Sequence, residues 1–222
     1  MAGKTYNIQK IDEKSIALAA ALIRRGELVV IPTDTVYGVA ADPTNPEAVA
    51  RIFAAKHRPA QKAVQVLLPS LDDLPRFGLS LPAPLDKLAR AFCPGGFSPI
   101  CIAEPGCPFV TVRIAEDEHF THTQGIRIPD SAAALAILEA AGPLATSSAN
   151  RSGDASAQTV EEAAEELGDA VALYLDGGPT PGPVSSTVVA AEPDAEGGVA
   201  ILREGVISHE KLKSVLQNPT KR

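Results

Sequence analysis

The chain has 222 residues, of which 45% are hydrophobic and 21% are charged, and its formal net charge is −7. This composition excludes intrinsic disorder, collagen-like repeats and coiled coils. The acidic balance argues against a protein that mainly coats nucleic acid, because phosphate contacts need cations, but it leaves room for a local basic cleft.

The cysteines and the hydropathy pattern indicate the cellular compartment in which the protein is expected. Three cysteines without a signal peptide do not indicate a disulfide framework, and they lack the paired spacing of a zinc site. No apolar run reaches the ~18–20 residues that span a bilayer. We therefore expect a cytoplasmic protein with reduced thiols and no membrane contact.

Helical and strand periods alternate along the chain, which predicts an α/β or α+β fold built on a sheet. Caps and apolar spacing predict helices over 12–25, 45–56, 85–92, 130–141 and 159–167, and a last helix opened by Ser208. Short apolar runs predict strands over 28–31, 64–68, 100–103, 109–114, 126–128, 144–147, 171–175, 187–190 and 199–203. We expect one domain over 1–222, with its core at about 12–207 and a frayed tail over 217–222.

The common nucleotide and hydrolase motifs are absent, so any chemistry must lie elsewhere. The first candidate is segment 32–38, which places three hydroxyls, Asp34 and a glycine directly after a buried strand. Ligands in α/β sheets bind outside the carboxyl ends of strands, but Asp34 and Thr35 also suit an ordinary turn. The two interpretations are equally supported by spacing alone.

A second candidate lies just after the helix over 45–56, where Lys56, Arg58 and Lys62 follow one another. Such cations bind phosphate oxygens, Lys as a point charge and Arg as a bidentate fork. Cations at this place also complement the negative end of the helix dipole. From this segment alone, the helix-end interpretation is somewhat favoured over a phosphate site.

Further candidates are small polar segments that follow strands: 145–150 with 152–153, then 185–188, then 203–205. Their hydroxyl and backbone N–H groups suit a carboxylate or phosphate, although Ser- and Asn-rich turns look the same in one sequence. Arg113 and Arg127 lie within predicted strands, where an unpaired cation is costly. Each needs either a carboxylate partner or a ligand. His119 and His122 more readily suit a polar loop than a shared metal.

Taken together and in order, these segments resemble the YrdC/Sua5 family from about Ile16 to Ile207. The segments that carry the resemblance are Pro32-Thr33-Asp34-Thr35-Val36-Tyr37-Gly38, Lys56-x-Arg58-Pro59, Arg127-Ile128-Pro129, Thr146-Ser147-Ser148-Ala149-Asn150-x-Ser152-Gly153, Ser186-Thr187-Val188-Val189 and Leu202-Arg203-Glu204-Gly205. The resemblance implies a twisted mixed sheet flanked by helices, with one open, basic concave face.

The resemblance also implies a threonylcarbamoyl-AMP synthase activity, which combines L-threonine, bicarbonate and ATP and releases pyrophosphate. The product would pass to the machinery that modifies adenosine 37 of certain tRNAs, with weak tRNA binding at most. Mg²⁺ would accompany ATP, and no metal held by protein ligands is expected.

The roles implied for individual residues fall into three groups. The catalytic residues would be Lys56, Arg58, Ser148 and Asn150; the ATP-binding residues would be Lys56, Arg58, Lys62, Ser148, Asn150, Ser186 and Arg203; the threonine-binding residues would be Thr35, Arg127 and Ser147. All reactants are anionic or zwitterionic, so catalysis would rest on positioning and charge neutralisation without a covalent nucleophile.

The sequence departs from the family pattern at three places. Lys62-Ala63-Val64 replaces Lys-Pro-Leu, Gly96-Phe97-Ser98 replaces Pro-hydrophobic-Thr, and Ala190 replaces an acid. Two alternatives therefore stay open: a relative that handles a carbamoyl-adenylate in another reaction, and a non-catalytic RNA-binding or ribosome-associated module.

Overall fold

The computed structural model of the protein describes residues 5–59, 62–115 and 121–217. The helices are α1 (Glu13–Arg24), α2 (Pro46–Ala55), α3 (Leu85–Phe92), α4 (Ala132–Ala141), α5 (Val160–Leu167) and α6 (His209–Gln217). The strands are β1 (Ile8–Lys10), β2 (Val29–Ile31), β3 (Gly38–Ala41), β4 (Gln65–Leu67), β5 (Leu79–Ser80), β6 (Phe97–Ala103), β7 (Arg113–Ile114), β8 (His122–Arg127), β9 (Leu144–Ser148), β10 (Leu173–Asp176), β11 (Thr187–Ala191) and β12 (Val199–Arg203). Short 3₁₀ helices cover Leu71–Phe77, Gly168–Ala170 and Glu196–Gly198.

These strands form a mixed sheet in the order β1-β10-β2-β3-β9-β4-β8-β6-β11-β12, with β5 beside β6 and β7 beside β8. Parallel pairs such as β4–β8 and β6–β11 alternate with antiparallel pairs such as β3–β9 and β6–β8. The predicted fold, a mixed sheet flanked by helices, is confirmed.

The first half of the sheet is covered on both faces. Val29 and Ile31 of β2 pack with α1 and α4, whereas Val30 between them packs with α2 and α5. Successive side chains of a strand point to opposite faces, so a strand buried on both sides is continuously apolar. This explains why the run over 28–31 could be recognised as a strand.

The second half of the sheet is covered on one face only. Phe97, Cys101 and Ala103 of β6 pack into the apolar clusters that involve α3, α6 and the 3₁₀ helix Leu71–Phe77. The alternate residues Ser98 and Ile100 point to the other face and line a cavity. The uncovered face of β6 and its neighbours therefore forms the floor of the candidate site.

Most predicted helices begin at their predicted caps. Asp12 and Thr159 close capping boxes with Ser15 and Glu162, and Asn45 caps α2. The predicted start of α4 at Asp130 was wrong by one residue, because the Ser131 hydroxyl accepts the Ala134 N–H at 3.3 Å.

Several strands differ from the predictions. β1, β3 and β5 were missed, and within the predicted strand 109–114 only Arg113–Ile114 is a strand. β3 pairs antiparallel with β2, so the polar segment 32–37 connects two neighbouring strands. β1 precedes the predicted core boundary at about residue 12 and pairs parallel with β10. Of the predicted frayed tail, only Gln217 lies within the described residues, and it ends α6.

Candidate active site

A cavity of about 360 Å³ lies on the uncovered face of the sheet. Gly125 of β8 lines it beside Ile100 and Gln65, since an added Cβ there would lie 3.3 Å from Ile100 Cδ1 and 3.9 Å from Gln65 Cβ. The remaining wall comes from the connections that follow β2 and α2, from the end of β9 and from β11 and β12. The polar and charged lining residues are Thr35, Arg58, Lys62, Gln65, Ser98, Arg127, Thr146, Ser147, Ser148, Ser185, Ser186 and Arg203.

The charge of this cavity is opposite to that of the whole chain. Its lining includes Arg58, Lys62, Arg127 and Arg203, and no Asp or Glu is present among the described residues that line it. The chain as a whole carries a formal charge of −7. Four cations in one concave surface of an acidic protein attract a ligand with several negative charges.

Arg127 is the most deeply buried of these cations, and the surrounding residues fix its plane. Its guanidinium donates from Nη2 to Asp34 Oδ1 at 2.7 Å, from Nη1 to Thr35 Oγ1 at 2.6 Å and from Nε to the Gly95 carbonyl at 3.1 Å. Burial lowers the pKa of Arg127, and the Asp34 carboxylate opposes that shift. A guanidinium carries five N–H groups, so these three bonds leave two without a partner among the described residues.

Arg203 is held by a chain of hydroxyl groups that crosses the cavity floor. Its guanidinium donates to the Ser186 carbonyl at 2.9 and 3.1 Å and to Ser186 Oγ at 3.1 Å. Ser186 and Ser98 hydrogen-bond through their hydroxyls at 2.8 Å, and Ser98 donates to Gln65 Oε1 at 2.9 Å. The chain ends on Gln65, which also lines the cavity.

The three guanidiniums lie close enough to affect one another. Burial lowers the pKa of Arg203 first, and the positive charges of Arg127 and Arg58 lower it further. Like charges that share a partly desolvated cavity repel one another. An anionic ligand would relieve this repulsion, so the electrostatics of the cavity favour an anion.

Arg58 reaches the cavity through a tight turn at the end of α2. His57 adopts a left-handed conformation with φ of 48°, so the chain reverses its direction there. Arg58 Nη2 donates to the Ala63 carbonyl at 2.8 Å, and its buried Nε has no hydrogen-bond partner in the described structure. Burial lowers the pKa of Arg58 as well. An unpartnered buried donor is costly, and a ligand oxygen would satisfy it.

Lys56 and Asn150 do not line the cavity, unlike the other sequence-predicted site residues. The Lys56 side chain is 1% exposed, and its ammonium donates to the backbone carbonyls of Ser148 and Asn150. Asn150 Nδ2 donates to the carbonyls of Arg151 and Asp154, each at 2.8 Å. Asn150 Oδ1 is buried without a partner. Whether either residue contacts ATP stays a prediction.

The structure thus brings eight of the predicted residues to one cavity: Thr35, Arg58, Lys62, Arg127, Ser147, Ser148, Ser186 and Arg203. Sequence reasoning missed Gln65, Ser98 and Thr146. Gln65 and Ser98 are polar residues in otherwise apolar runs, and that interruption was the available signal. Thr146 was quoted within its motif without a role.

The described residues contain neither a cluster that suits a metal ion nor a helix that could span a membrane. No cluster of His, Cys, Asp or Glu that suits a metal ion occurs within residues 5–59, 62–115 and 121–217. His122 begins β8 and is exposed, whereas His119 lies outside the described residues. Within the same ranges, none of the helices combines the length and apolar character of a membrane span.

The fold and the site define an α/β protein with a cationic cavity on the open face of its sheet, and the described residues of the cavity lining include no carboxylate. Comparison with known proteins gives its family. The family model Sua5_yciO_yrdC, described as "Telomere recombination", matches residues 21–205. The chain belongs to this Sua5/YciO/YrdC family.

Relatives are similar over nearly the whole chain. A Mycobacterium tuberculosis (strain CDC 1551) protein is 37% identical over 216 residues, which cover 96% of this chain and 95% of that protein. A Bacillus subtilis protein named threonylcarbamoyl-AMP synthase is 35% identical over 97% of this chain, which spans 62% of that relative. The crystal structure of Pyrococcus abyssi Sua5 complexed with L-threonine superimposes with a TM-score of 0.82 at 31% identity, covering 96% of this chain and 60% of that one.

Proposed function

We propose that this protein is an L-threonylcarbamoyladenylate synthase, an enzyme of the nucleotidyltransferase type. One observation carries the proposal: residues from all the family motifs converge on a single cavity that contains four cations and no described carboxylate. The similarity to a Sua5 structure with L-threonine bound and to relatives named threonylcarbamoyl-AMP synthase supports the same reaction.

The reaction needs two bond-forming steps. The threonine amine attacks the carbon of bicarbonate, water leaves, and a carbamate forms. A carbamate oxygen then attacks the α-phosphorus of ATP, the bond from this phosphorus to the bridging oxygen breaks, and pyrophosphate leaves. Every species is an anion or a zwitterion, so the cavity must gather like charges and hold them in line.

The threonine subsite would lie at Arg127. Two free N–H groups of its guanidinium suit the threonine carboxylate as a bidentate partner. Thr35 accepts from the same guanidinium at 2.6 Å, and Ser147 lines the same cavity, so both are near the bound amino acid. We assign Thr35, Arg127 and Ser147 to threonine on this basis.

The phosphate subsite would lie at Arg58, Lys62 and Arg203. The unpartnered Nε of Arg58 and the mutual repulsion of the guanidiniums favour an oxyanion between them. Ser148 lines the same cavity and would donate a hydroxyl hydrogen bond to the carbamate or the α-phosphate, whereas Ser186, whose hydroxyl is bonded to Ser98, would serve the ATP site by holding Arg203. Ser186 is already oriented by Arg203.

Mg²⁺ fits this site only as a companion of ATP. The described lining offers no carboxylate, and Mg²⁺ in nucleotide sites commonly rests on phosphate oxygens and water. Bound in that way, the ion would neutralise charge on the leaving pyrophosphate. We also propose that bicarbonate is the carbon source, that a tRNA threonylcarbamoyl transferase consumes the product, and that the enzyme acts in the cytoplasm as one domain.

The test is pyrophosphate release from ATP, bicarbonate and Mg²⁺, with and without L-threonine and with L-serine as the comparison. Threonine-dependent release with threonylcarbamoyl-AMP detected by mass spectrometry is the expected result. ATP binding without release would instead indicate a relative with a different acceptor. Neither binding nor release, together with salt-dependent RNA binding, would favour the RNA-binding module.

A further inference from the structure

The two residues of the Lys56-x-Arg58 motif point in different directions. The left-handed turn at His57 sends Arg58 toward the cavity, whereas Lys56 points back under the loop that follows β9. Lys56 is 1% exposed, so a ligand in the cavity has no route to its ammonium while this loop keeps its position.

Lys56 contacts the loop at both of its ends. Its ammonium donates to the carbonyls of Ser148 and Asn150, and its own carbonyl accepts the Ser152 N–H at 2.8 Å. Lys56 is buried without a carboxylate contact among the described residues, which is unusual for a lysine. The dipoles of the two carbonyls replace the water that its ammonium loses on burial. The contacts therefore fix the backbone of residues 148–152.

The loop held in this way carries groups that line the cavity. Ser147 and Ser148 lie in the cavity wall, and the Ser148 carbonyl is one of the two that accept from the Lys56 ammonium. The backbone N–H of Ala149 donates to the Tyr37 carbonyl at 2.8 Å, which ties the loop to the segment that carries Thr35. A shift of this backbone would displace the hydroxyls at both subsites.

We propose that Lys56 is a positioning residue: its buried ammonium holds the Ser148–Ser152 backbone so that the serine hydroxyls stay in place, and it does not itself contact substrate. The kinetic consequence of this role rests on the proposed function, but the structural consequence does not.

The electrostatics give the role a pH signature. Burial and the charge of Arg58 lower the pKa of Lys56 to about 8, against the opposing effect of Glu166 on α5. Between about pH 8 and the ordinary value of 10.5, the unfolded lysine keeps its proton while the native one loses it. Stability therefore gains from rising pH across this window. Opening of the loop would return the Lys56 ammonium to water and to its ordinary pKa, so the closed loop also gains over the open one in this window.

The experiment compares Lys56→Met with Lys62→Met, because Lys62 lines the cavity and does not hold the loop. Amide hydrogen exchange over residues 148–154 is expected to be about tenfold faster in Lys56→Met and unchanged in Lys62→Met. In turnover, Lys56→Met should lower kcat, whereas Lys62→Met should mainly raise the KM for ATP.

Unchanged loop exchange in a folded Lys56→Met protein, with a raised KM for ATP, would overturn the proposal and make Lys56 a phosphate contact. If the variant does not fold, the wild-type protein decides: loop protection, corrected for intrinsic exchange, must rise between pH 8 and 9.5, and constant protection overturns the proposal. Absence of threonine-dependent turnover in the wild type contradicts only the proposed function, since the exchange result is independent of it.

Discussion

The Arg127 guanidinium and the Asp34 carboxylate form an ion pair with Nη2 and Oδ1 2.7 Å apart, and their side chains are only 3% and 15% exposed. Asp34 does not line the cavity, but Arg127 does. The pair therefore fixes the Arg127 cation in the cavity wall, whereas the Asp34 carboxylate lies outside the cavity lining. A buried pair of this kind fixes geometry more reliably than it adds stability.

Replacing Asp34 by Asn tests whether the pair orients Arg127 for threonine. Asn keeps the shape but loses the charge, so the guanidinium keeps Thr35 and Gly95 as partners and loses its strongest constraint. We expect the KM for threonine to rise by about tenfold, with a smaller change in the KM for ATP. Steady-state pyrophosphate release measures both values. The exposed Asp194→Asn is the control, and an equal rise in both KM values would contradict this role.

Arg58→Ala tests the phosphate subsite. The variant removes one of the cavity's cations and its unpartnered Nε, but the backbone turn at His57 remains. Threonine-dependent pyrophosphate release should fall by more than about a hundredfold, because stabilisation of transferred charge is a large catalytic term. The melting temperature should change little. Arg51→Ala on α2 removes an exposed ion pair with Glu27 and a hydrogen bond to the Gly26 carbonyl, neither of which touches a residue of the cavity lining, and should leave turnover intact. Normal turnover by Arg58→Ala would remove Arg58 from the site.

The fold was largely predictable because local signals and burial agree. Capping residues marked the starts of α1, α2 and α5, and apolar runs marked strands covered on both faces. β3 was missed because Gly38-Val-Ala-Ala is short and follows a polar segment that resembles a turn. β1 was missed because its exposed residues have no periodic pattern; only its pairing with β10 makes it a strand.

The site was predictable as a set of segments, but not in the orientation of each side chain. Motif order brought eight residues to one cavity, whereas the different directions of Lys56 and Arg58 come with the left-handed backbone of His57 between them, which no sequence signal indicates. The two side-chain partners of Arg127, Thr35 and Asp34, are 92 and 93 residues away in sequence. Only the fold therefore reveals that its carboxylate partner is Asp34.

Asn150→Ala tests how far the loop after β9 serves turnover. The substitution removes two hydrogen bonds to loop carbonyls, each worth about 1 kcal/mol, and also removes a buried oxygen without a partner. The net change in melting temperature should be small, while turnover should fall by at least about tenfold because the backbone beside Ser148 moves. Asn7→Ala, which removes a side-chain bond to the Ala172 carbonyl far from the cavity, is the control. A large loss of stability with near-normal turnover would show that Asn150 is a turn residue.

Gly205→Ala tests the close approach that orients Arg203. A Cβ at Gly205 would lie 2.2 Å from the Ser185 carbonyl oxygen and 2.5 Å from the Ser186 carbonyl carbon, and both are backbone atoms that cannot rotate away. The Gly205 N–H also donates to Thr187 Oγ1 at 3.0 Å, so the two segments must separate together. We expect a destabilisation of about 3 kcal/mol, at the upper end of overpacking costs.

Turnover of Gly205→Ala should fall at temperatures where the variant is still folded, because Ser186 is the residue that holds Arg203. Urea unfolding gives the stability, and pyrophosphate release below the transition gives the activity. Gly106→Ala is the matched control, since an added Cβ there meets nothing within 4 Å. If Gly205→Ala unfolds at the wild-type urea concentration, segment 203–205 relaxes without strain and the close approach does not constrain Arg203.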